Sequence, residues 1–220
     1  AVIHVPFDAD KTLYQALRLT TPILFCGVLT LVVAGLVWQL PVSYHPLEWL
    51  AEWAMEQSYR QFVATAAVTF VNQLFWFIGV HGGHVLDTYA SDLFTPANLP
   101  PGHLAWRPMF DAFVLIGGAG STLGLIFAIW YAAPEGSQRR IAMLGLFPSI
   151  FNINEVILFG LPVVLSPIYL LPFILIPLIL ATITLQAMQF GLIVLHPVNI
   201  PWTTPPLISG WLLSDSWRGA

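Results

Sequence analysis

Residues 151–160 read FNINEVILFG, and their surroundings decide the class of fold. They lie inside the run Ile141–Ser214, 74 residues in which Glu155 is the only Asp, Glu, Lys or Arg. A run this long and apolar is typical of a chain in a lipid bilayer, where one spanning helix needs about 20 apolar residues. A carboxylate at that depth costs at least ~2.5–3.5 kcal/mol on insertion scales, so Glu155 is a candidate functional residue.

Composition supports the same class. Hydrophobic residues make up 57% of the 220-residue chain and charged residues 8%, whereas a soluble domain carries about 25% charged residues. The mean hydropathy is +0.79. The sequence predicts an all-α integral membrane protein with about five or six spans of ~20 residues each. The net charge of −4 argues against a nucleic-acid partner, and the single Cys26, within an apolar run, excludes an intrachain disulfide.

The domain prediction divides the chain into a polar connector, 1–21, and a single membrane domain, 22–220. Within that domain Pro22–Leu40 and Ala112–Tyr131 are uncharged and long enough to span. Residues 132–140 are predicted to form a short turn. This turn carries two adjacent arginines and is placed on the cytoplasmic side, because cytoplasmic loops of membrane proteins are enriched in Lys and Arg.

Two segments between these spans are predicted to lie outside the hydrocarbon core. Residues 46–60 place Glu48, Glu52 and Glu56 four residues apart, with tryptophans around them, which indicates an amphipathic helix in the interface. Residues 87–111 are rich in Pro, Gly and charge and are predicted to form a long loop.

Prolines are dense in the last third of the chain, so straight helices are not expected there. Broken or re-entrant helices tolerate them where the freed backbone groups face protein or a watery cavity. The prolines are Pro148, Pro162, Pro167, Pro172, Pro177, Pro197, Pro201, Pro205 and Pro206.

The NINE sequence, 152–155, concentrates polar side chains in an apolar segment. Two amides and a carboxylate in four positions favour a non-helical tip lining a polar pocket, because each group needs a partner in a dry setting. The alternative is a buried turn in which Asn152 and Asn154 cap a half-helix and Glu155 pairs with a neighbour.

A second tip is predicted near residues 76–84, within FWFIGVHGGHVL. Three glycines in five residues weaken a helix there, so the chain is expected to turn back. His81 is predicted to face a pocket, while His84 fits a surface position equally well. A metal site is the weaker interpretation, because zinc needs three or four ligands and no further ligand lies nearby.

Two further segments carry alternatives. Trp202, set among prolines in IPWTTPPLISG, suits stacking on a sugar ring, although an interfacial anchor explains it nearly as well. GGAGSTLG, 117–124, lacks the lysine of a P-loop. Gly120 and Gly124 instead form G-x-x-x-G, which predicts close helix packing.

Taken in order, four motifs resemble the membrane-embedded enzyme IIC component of sugar phosphotransferase systems, in its lactose/cellobiose/chitobiose branch. They are FWFIGVHG, GGAGSTLGL, FNINEVILFGLPVVLSPIYLLPF and PWTTPPLISGWL, and the resemblance covers roughly residues 20–215. It implies a polytopic bundle in which two re-entrant hairpins bind a β-linked disaccharide. The substrate-binding residues implied are Trp76, His81, Gly82, Asn154, Glu155, Trp202 and Thr203.

The resemblance also implies a reaction and a partner. A phosphorylated IIB subunit would donate phosphate from its cysteine to the 6-hydroxyl of the sugar, so that the chain is an enzyme only together with IIB. The hypothesis is that Glu155 orients or deprotonates this hydroxyl while His81 hydrogen-bonds the same sugar. No cofactor or metal is expected.

The chain departs from this family at Val156, where NINE is usually followed by proline, and in length, because family members are about twice as long. We therefore expect the substrate-binding half of a multi-pass protein of the bacterial cytoplasmic membrane, with a homodimer contact formed by amino-terminal helices outside this sequence. A IIC-like sugar receptor fused to a signalling domain is the alternative. An intramembrane protease or lipid transferase is the third interpretation, and no obvious nucleophile supports it.

Overall fold

The structure is a computed structural model that describes residues 58–89, 107–133, 135–196, 198 and 200–220, together with scattered positions between 24 and 39. Residues 1–45 and 46–220 form separate units. Positions described between residues 24 and 36 are helical, and their large apolar side chains are exposed. The predicted interfacial helix, 46–60, lies outside the described residues except for its last three.

The described residues of the second unit are helical, with turns between the helices and no strand among them. The longer helices are α1 (Ser58–Phe77), α2 (Gly82–Tyr89), α4 (Thr122–Ala132), α5 (Ser137–Ile150), α7 (Pro167–Gln189) and α8 (Pro206–Ser214). The short ones are α3 (Arg107–Met109), which runs into the π-helix Phe110–Val114, a 3₁₀ turn Ala119–Ser121, and α6 (Glu155–Gly160).

Two helical stretches in the described part are long and apolar enough to cross a bilayer by length and composition, Arg107–Ala132 and Pro167–Gln189. A shorter apolar helix covers Phe62–Phe77. The five or six spans expected from composition therefore stay a prediction.

The stretch Arg107–Ala132 differs from the prediction in two ways. Helix begins at Arg107, within the segment 87–111 that was expected to be loop. The predicted span Ala112–Tyr131 is interrupted between the π-helix and α4, where Gly117 and Gly118 adopt φ of 79° and 94°. Glycine populates this left-handed region without the steric cost of a side chain, so the glycine-rich sequence forms a turn inside the span.

The predicted G-x-x-x-G packing face is wrong. Gly120 lies in the turn, with φ of 75°, and a Cβ on it would collide with the ring of Phe173 on α7. Gly124 lies in α4 with no non-local atom within 4 Å of the position of a Cβ. The close approach is therefore made by one glycine of the turn against an aromatic ring.

The prediction of broken helices holds for some prolines and fails for others. Pro172 and Pro177 lie inside α7, which continues through both for 23 residues, and Pro148 lies inside α5. A proline removes one backbone donor and crowds the preceding turn. Packing of α7 against α1 and against the turn at Gly120 accompanies this continuity. The chain leaves helical geometry instead at 151–154, at 161–166 and at 190–196, 198 and 200–205.

Two apolar clusters hold the helices together. The first joins α1, the π-helix, α7 and α8, through residues such as Val68, Val114, Leu185 and Leu213. The second joins α1, α4, α5, α6 and α7, and includes Phe77, Ile126, Ile157 and Phe173. The backbone N–H of Leu165 also donates to the carbonyl of Phe77 at 2.9 Å. These contacts bring the turns after α1 and α5 into one region of the structure.

Candidate functional site

An open cavity of about 160 Å³ lies where these turns meet. Small-molecule sites typically have apolar walls and a few convergent polar groups. The cavity is lined by Val68, Asn72, Trp76, His81, Gly83, His84, Leu86, Arg107, Phe110, Asp111, Leu115, Gly118, Ala119, Asn152, Asn154, Glu155 and Trp202.

Five of the seven predicted site residues line this cavity: Trp76, His81, Asn154, Glu155 and Trp202. The other two lie beside it. Gly82 is buried at the start of α2, where a Cβ would come within 2.5 Å of the carbonyl oxygen of Asn72. Thr203 follows Trp202 and is half-buried. Residues separated by more than a hundred positions therefore contribute to one cavity.

The turn between α1 and α2 presents an imidazole to the cavity. Helix α1 ends at Phe77, and Gly79 adopts φ of 85° as the chain reverses into α2. The Nδ1 atom of His81 accepts a hydrogen bond from the backbone N–H of His84 at 3.2 Å. A neutral imidazole that accepts at Nδ1 carries its proton on Nε2. This nitrogen is a potential donor to a hydroxyl oxygen.

Aromatic rings surround His81. Its ring centroid lies 4.2 Å from that of Trp76, at an interplanar angle of 51°, and 4.0 Å from that of His84. His84, for which the sequence fits a surface position equally well, is exposed and also lines the cavity. The turn thus offers apolar ring surface next to polar nitrogens.

Asn154 connects the turn after α5, residues 151–154, to the turn between the π-helix and α4, residues 115–121, which we call the glycine turn. Its Nδ2 donates to the carbonyl of Ala119 at 2.7 Å and to Oγ1 of Thr122 at 3.0 Å. Only 2% of Asn154 is exposed. The backbone carbonyl of Asn154 accepts from the N–H groups of Ile157 and Leu158, whereas its side chain makes no capping hydrogen bond to the start of α6. The alternative in which this amide caps a half-helix is therefore wrong.

Asn152 is buried on the other side of the same turn and adopts φ of 62°, a conformation that asparagine tolerates better than most residues. Its Oδ1 accepts from the N–H of Gly117 at 3.0 Å, and its Nδ2 donates to the carbonyl of Trp202 at 2.7 Å. Longer contacts reach the carbonyls of Thr204, at 3.4 Å, and Asp111, at 3.5 Å. One side chain therefore links three segments that are distant in sequence.

Glu155 begins α6 and lines the cavity. Its side chain is exposed, so the enclosed, dry environment expected for it is not observed in this chain. Among the residues that the structure describes, no arginine, lysine or histidine forms a salt bridge with it. The alternative in which Glu155 is locked in an ion pair is therefore not supported within the described residues.

The cavity wall contains an ion pair that was not predicted from the sequence. Nε of Arg107 lies 3.2 and 3.0 Å from the two carboxylate oxygens of Asp111, and both side chains are partly buried. The spacing of four residues was the available signal, but assigning 87–111 to a loop concealed it. Asn72, buried on α1, was missed as well, although it interrupts an apolar run. No group of three or more His, Cys, Asp or Glu suited to a metal ion occurs in the described part of the chain.

Comparison with known proteins gives the family. The family model for the phosphotransferase system EIIC component matches residues 13–177. The oligo-beta-mannoside-specific EIIC component of Bacillus subtilis is 31% identical over 170 residues, covering 71% of this chain and 38% of the relative. The cellobiose-specific EIIC component of Geobacillus stearothermophilus is 38% identical over 166 residues, covering 69% and 36%.

The fold agrees with that of a solved transporter. The crystal structure of ChbC, the IIC component from the N,N′-diacetylchitobiose-specific phosphotransferase system, matches with a TM-score of 0.68 and 24% identity. That match covers 99% of this chain and 54% of the transporter. The chain spans a little over a third of the length of the curated relatives quoted above. The extent of the family match, three quarters of the sequence, shows that this chain belongs to the EIIC family of the phosphotransferase system and is a membrane protein.

Proposed function

We propose that the chain is the substrate-binding part of a sugar permease that takes a β-linked disaccharide of the cellobiose, lactose or chitobiose type. The observation that supports this most directly is the convergence of Trp76, His81, Glu155 and Trp202 on one cavity. Tryptophan faces suit the apolar faces of pyranose rings, while the imidazole and carboxylate suit hydroxyl groups. Relatives specific for cellobiose and for oligo-β-mannosides support the β-linked class.

Transport is proposed to be coupled to phosphorylation by a phosphorylated IIB subunit. The carboxylate of Glu155 accepts the proton of the sugar 6-hydroxyl as the oxygen attacks the phosphorus of the IIB phosphocysteine. The O–P bond forms, the S–P bond breaks, and the cysteine thiolate leaves. Phosphoryl transfer of this kind depends mainly on positioning and charge stabilisation, and the presence of the exposed Glu155 in the cavity lining supports the proposal.

His81 is proposed to hold the same hydroxyl or its neighbour. The bond from the His84 backbone to Nδ1 orients the ring and leaves Nε2–H to donate. In this arrangement Glu155 accepts and His81 donates, so the two side chains are complementary toward one hydroxyl group. The turns after α1 and α5 would then be the tips of the two re-entrant hairpins, in a multi-pass protein of the cytoplasmic membrane.

The experiment that tests this proposal is titration of the purified chain in detergent with cellobiose, lactose and diacetylchitobiose, and with α-linked maltose as the control. Tryptophan fluorescence reports binding, because Trp76 and Trp202 line the cavity. We expect saturable binding of at least one β-linked sugar and none of maltose. Absence of binding by all the β-linked sugars overturns the proposal.

A second measurement separates transport from sensing. The chain is mixed with phosphorylated IIB and a radiolabelled disaccharide that binds, and sugar phosphate is quantified. Formation of sugar phosphate supports the permease. Binding without sugar phosphate identifies the receptor alternative.

A further inference from the structure

The side chain of Asn152 lies at a junction of three segments. It is 8% exposed and lies between the glycine turn, the turn after α5 and the loop that carries Trp202. Its Oδ1 bonds the N–H of Gly117, and its Nδ2 bonds the carbonyl of Trp202 at 2.7 Å, the shortest of its contacts. Both ends of the amide are therefore used to fix backbone.

Within the described residues 200–205, the loop around Trp202 has few other hydrogen bonds that connect its backbone to distant segments. Pro201, Pro205 and Pro206 have no N–H to donate. Within the loop, the N–H of Thr204 donates to the carbonyl of Pro201 at 2.9 Å, which closes a tight turn around Trp202. That turn sets the local shape of the loop, but a hydrogen bond within the loop does not set its position relative to the cavity.

Trp202 itself is weakly enclosed. Its side chain is 49% exposed and lines the cavity. A half-exposed indole has fewer packing contacts than a core side chain. Its orientation therefore depends more on the position of its backbone. Asn152 connects this loop to the NINE turn through the Trp202 carbonyl at 2.7 Å and, at the longer distance of 3.4 Å, through the Thr204 carbonyl.

We propose that Asn152 is a positioning residue that holds the indole of Trp202 against the cavity and does not itself bind the ligand. The inference rests on the proposed function for its consequence in sugar affinity, while the positioning of Trp202 is measurable without any sugar. In this proposal two residues of the NINE sequence have different roles. Asn152 positions the indole of Trp202, and Glu155 accepts the proton of the sugar hydroxyl.

The test uses Asn152→Asp in the full chain. This substitution keeps an oxygen that accepts from Gly117 and removes both protons that Nδ2 donates, so that a carbonyl faces a carboxylate. Tryptophans are labelled with 5-fluorotryptophan, and the ¹⁹F resonances of Trp202 and Trp76 are assigned by Trp202→Phe and Trp76→Phe. We expect the Trp202 resonance to shift or broaden in Asn152→Asp and that of Trp76 to remain. An unchanged Trp202 resonance, or equal changes throughout the spectrum, overturns the proposal.

A thermodynamic cycle supplies the second arm, with a β-linked disaccharide that binds the parent chain. Asn152→Asp is expected to raise the Kd roughly five- to tenfold, the range of a lost hydrogen bond. In a Trp202→Ala background the same substitution should change the Kd less than about twofold, because the residue it acts through is gone. Equal effects in both backgrounds contradict positioning of Trp202. If the parent chain binds no disaccharide, the proposed function fails while the fluorine measurement still decides the role of Asn152.

Discussion

The carboxamide of Asn154 occupies the space that a side chain on Gly118 would need. A Cβ on residue 118 would lie 2.5 Å from Cγ of Asn154 and 2.8 Å from the carbonyl oxygen of Asn152. Gly118 also has φ of 94° and ψ of −172°, a conformation essentially reserved for glycine. The glycine turn and the NINE turn are therefore sterically complementary.

This contact predicts the effect of Gly118→Ala. Backbone strain of order 1–3 kcal/mol adds to the collision with Asn154, so the free energy of unfolding should fall by roughly 2–4 kcal/mol. Unfolding in mixed detergent–SDS micelles, followed by tryptophan fluorescence, measures it. Gly124→Ala is the matched control, because its Cβ meets nothing within 4 Å, and it should leave stability unchanged or raise it by up to ~1 kcal/mol. Equal losses in the two variants would show that the collision is not decisive.

The amide of Asn154 should be energetically coupled to Thr122. Asn154→Ala removes a donor from the Ala119 carbonyl and from Thr122 Oγ1, and it should cost ~1–3 kcal/mol of unfolding free energy. In combination with Thr122→Val, the loss should differ from the sum of the single losses by at least ~0.5 kcal/mol.

Thr182→Val serves as the control for this cycle. The Thr182 hydroxyl donates to the carbonyl of Leu178 within α7, so no coupling to Asn154 is expected. The same unfolding measurement applies to all variants. Additive effects for the Asn154 and Thr122 pair would argue against their hydrogen bond.

Glu155→Gln tests the proposed proton acceptor. The amide has the same size but cannot take the hydroxyl proton, so sugar phosphate formation should fall by at least ~10²-fold, in the range of general base catalysis. Disaccharide binding should change only a few-fold. The measurement is sugar phosphate formed from phosphorylated IIB by membrane vesicles carrying the chain.

Glu135→Gln is the matched control for that experiment. Glu135 is exposed in the turn before α5 and does not line the cavity, so the rate should be unaffected. A normal rate in Glu155→Gln would remove this residue from the reaction.

Trp76→Leu tests the aromatic wall formed by α1. The indole packs against His81 with ring centroids 4.2 Å apart, and its loss removes ring surface from the cavity. We expect roughly tenfold weaker disaccharide binding, in keeping with ~0.5–1.5 kcal/mol for an aromatic contact beyond its buried area. Isothermal titration calorimetry measures the Kd. Trp130→Leu, at an exposed position on α4, should bind as the parent chain does, and comparable losses in both variants would count against the site.

Local sequence determined several features before any contact was known. The lone carboxylate among apolar residues marked Glu155, and the glycines around His81 marked the turn between α1 and α2, because charge in an apolar run and missing side chains act locally. The four motifs likewise indicated the family that the comparisons confirm. In each case the signal is the type and order of residues along the chain, which requires no tertiary contact to detect.

Tertiary structure decided which of these residues work together. The glycine turn inside Arg107–Ala132 was predicted as helix, since G-x-x-x-G is compatible with both. The contacts that favour the turn come from distant residues: the amides of Asn152 and Asn154, the side chain of Gln73 and the ring of Phe173. Helix α7 also continues through two prolines, although proline disfavours the helical turn that precedes it. This continuity is seen only in the folded chain. The junction between Asn152 and Trp202 joins positions 50 residues apart, and such a bond exists only once packing brings the two backbones together.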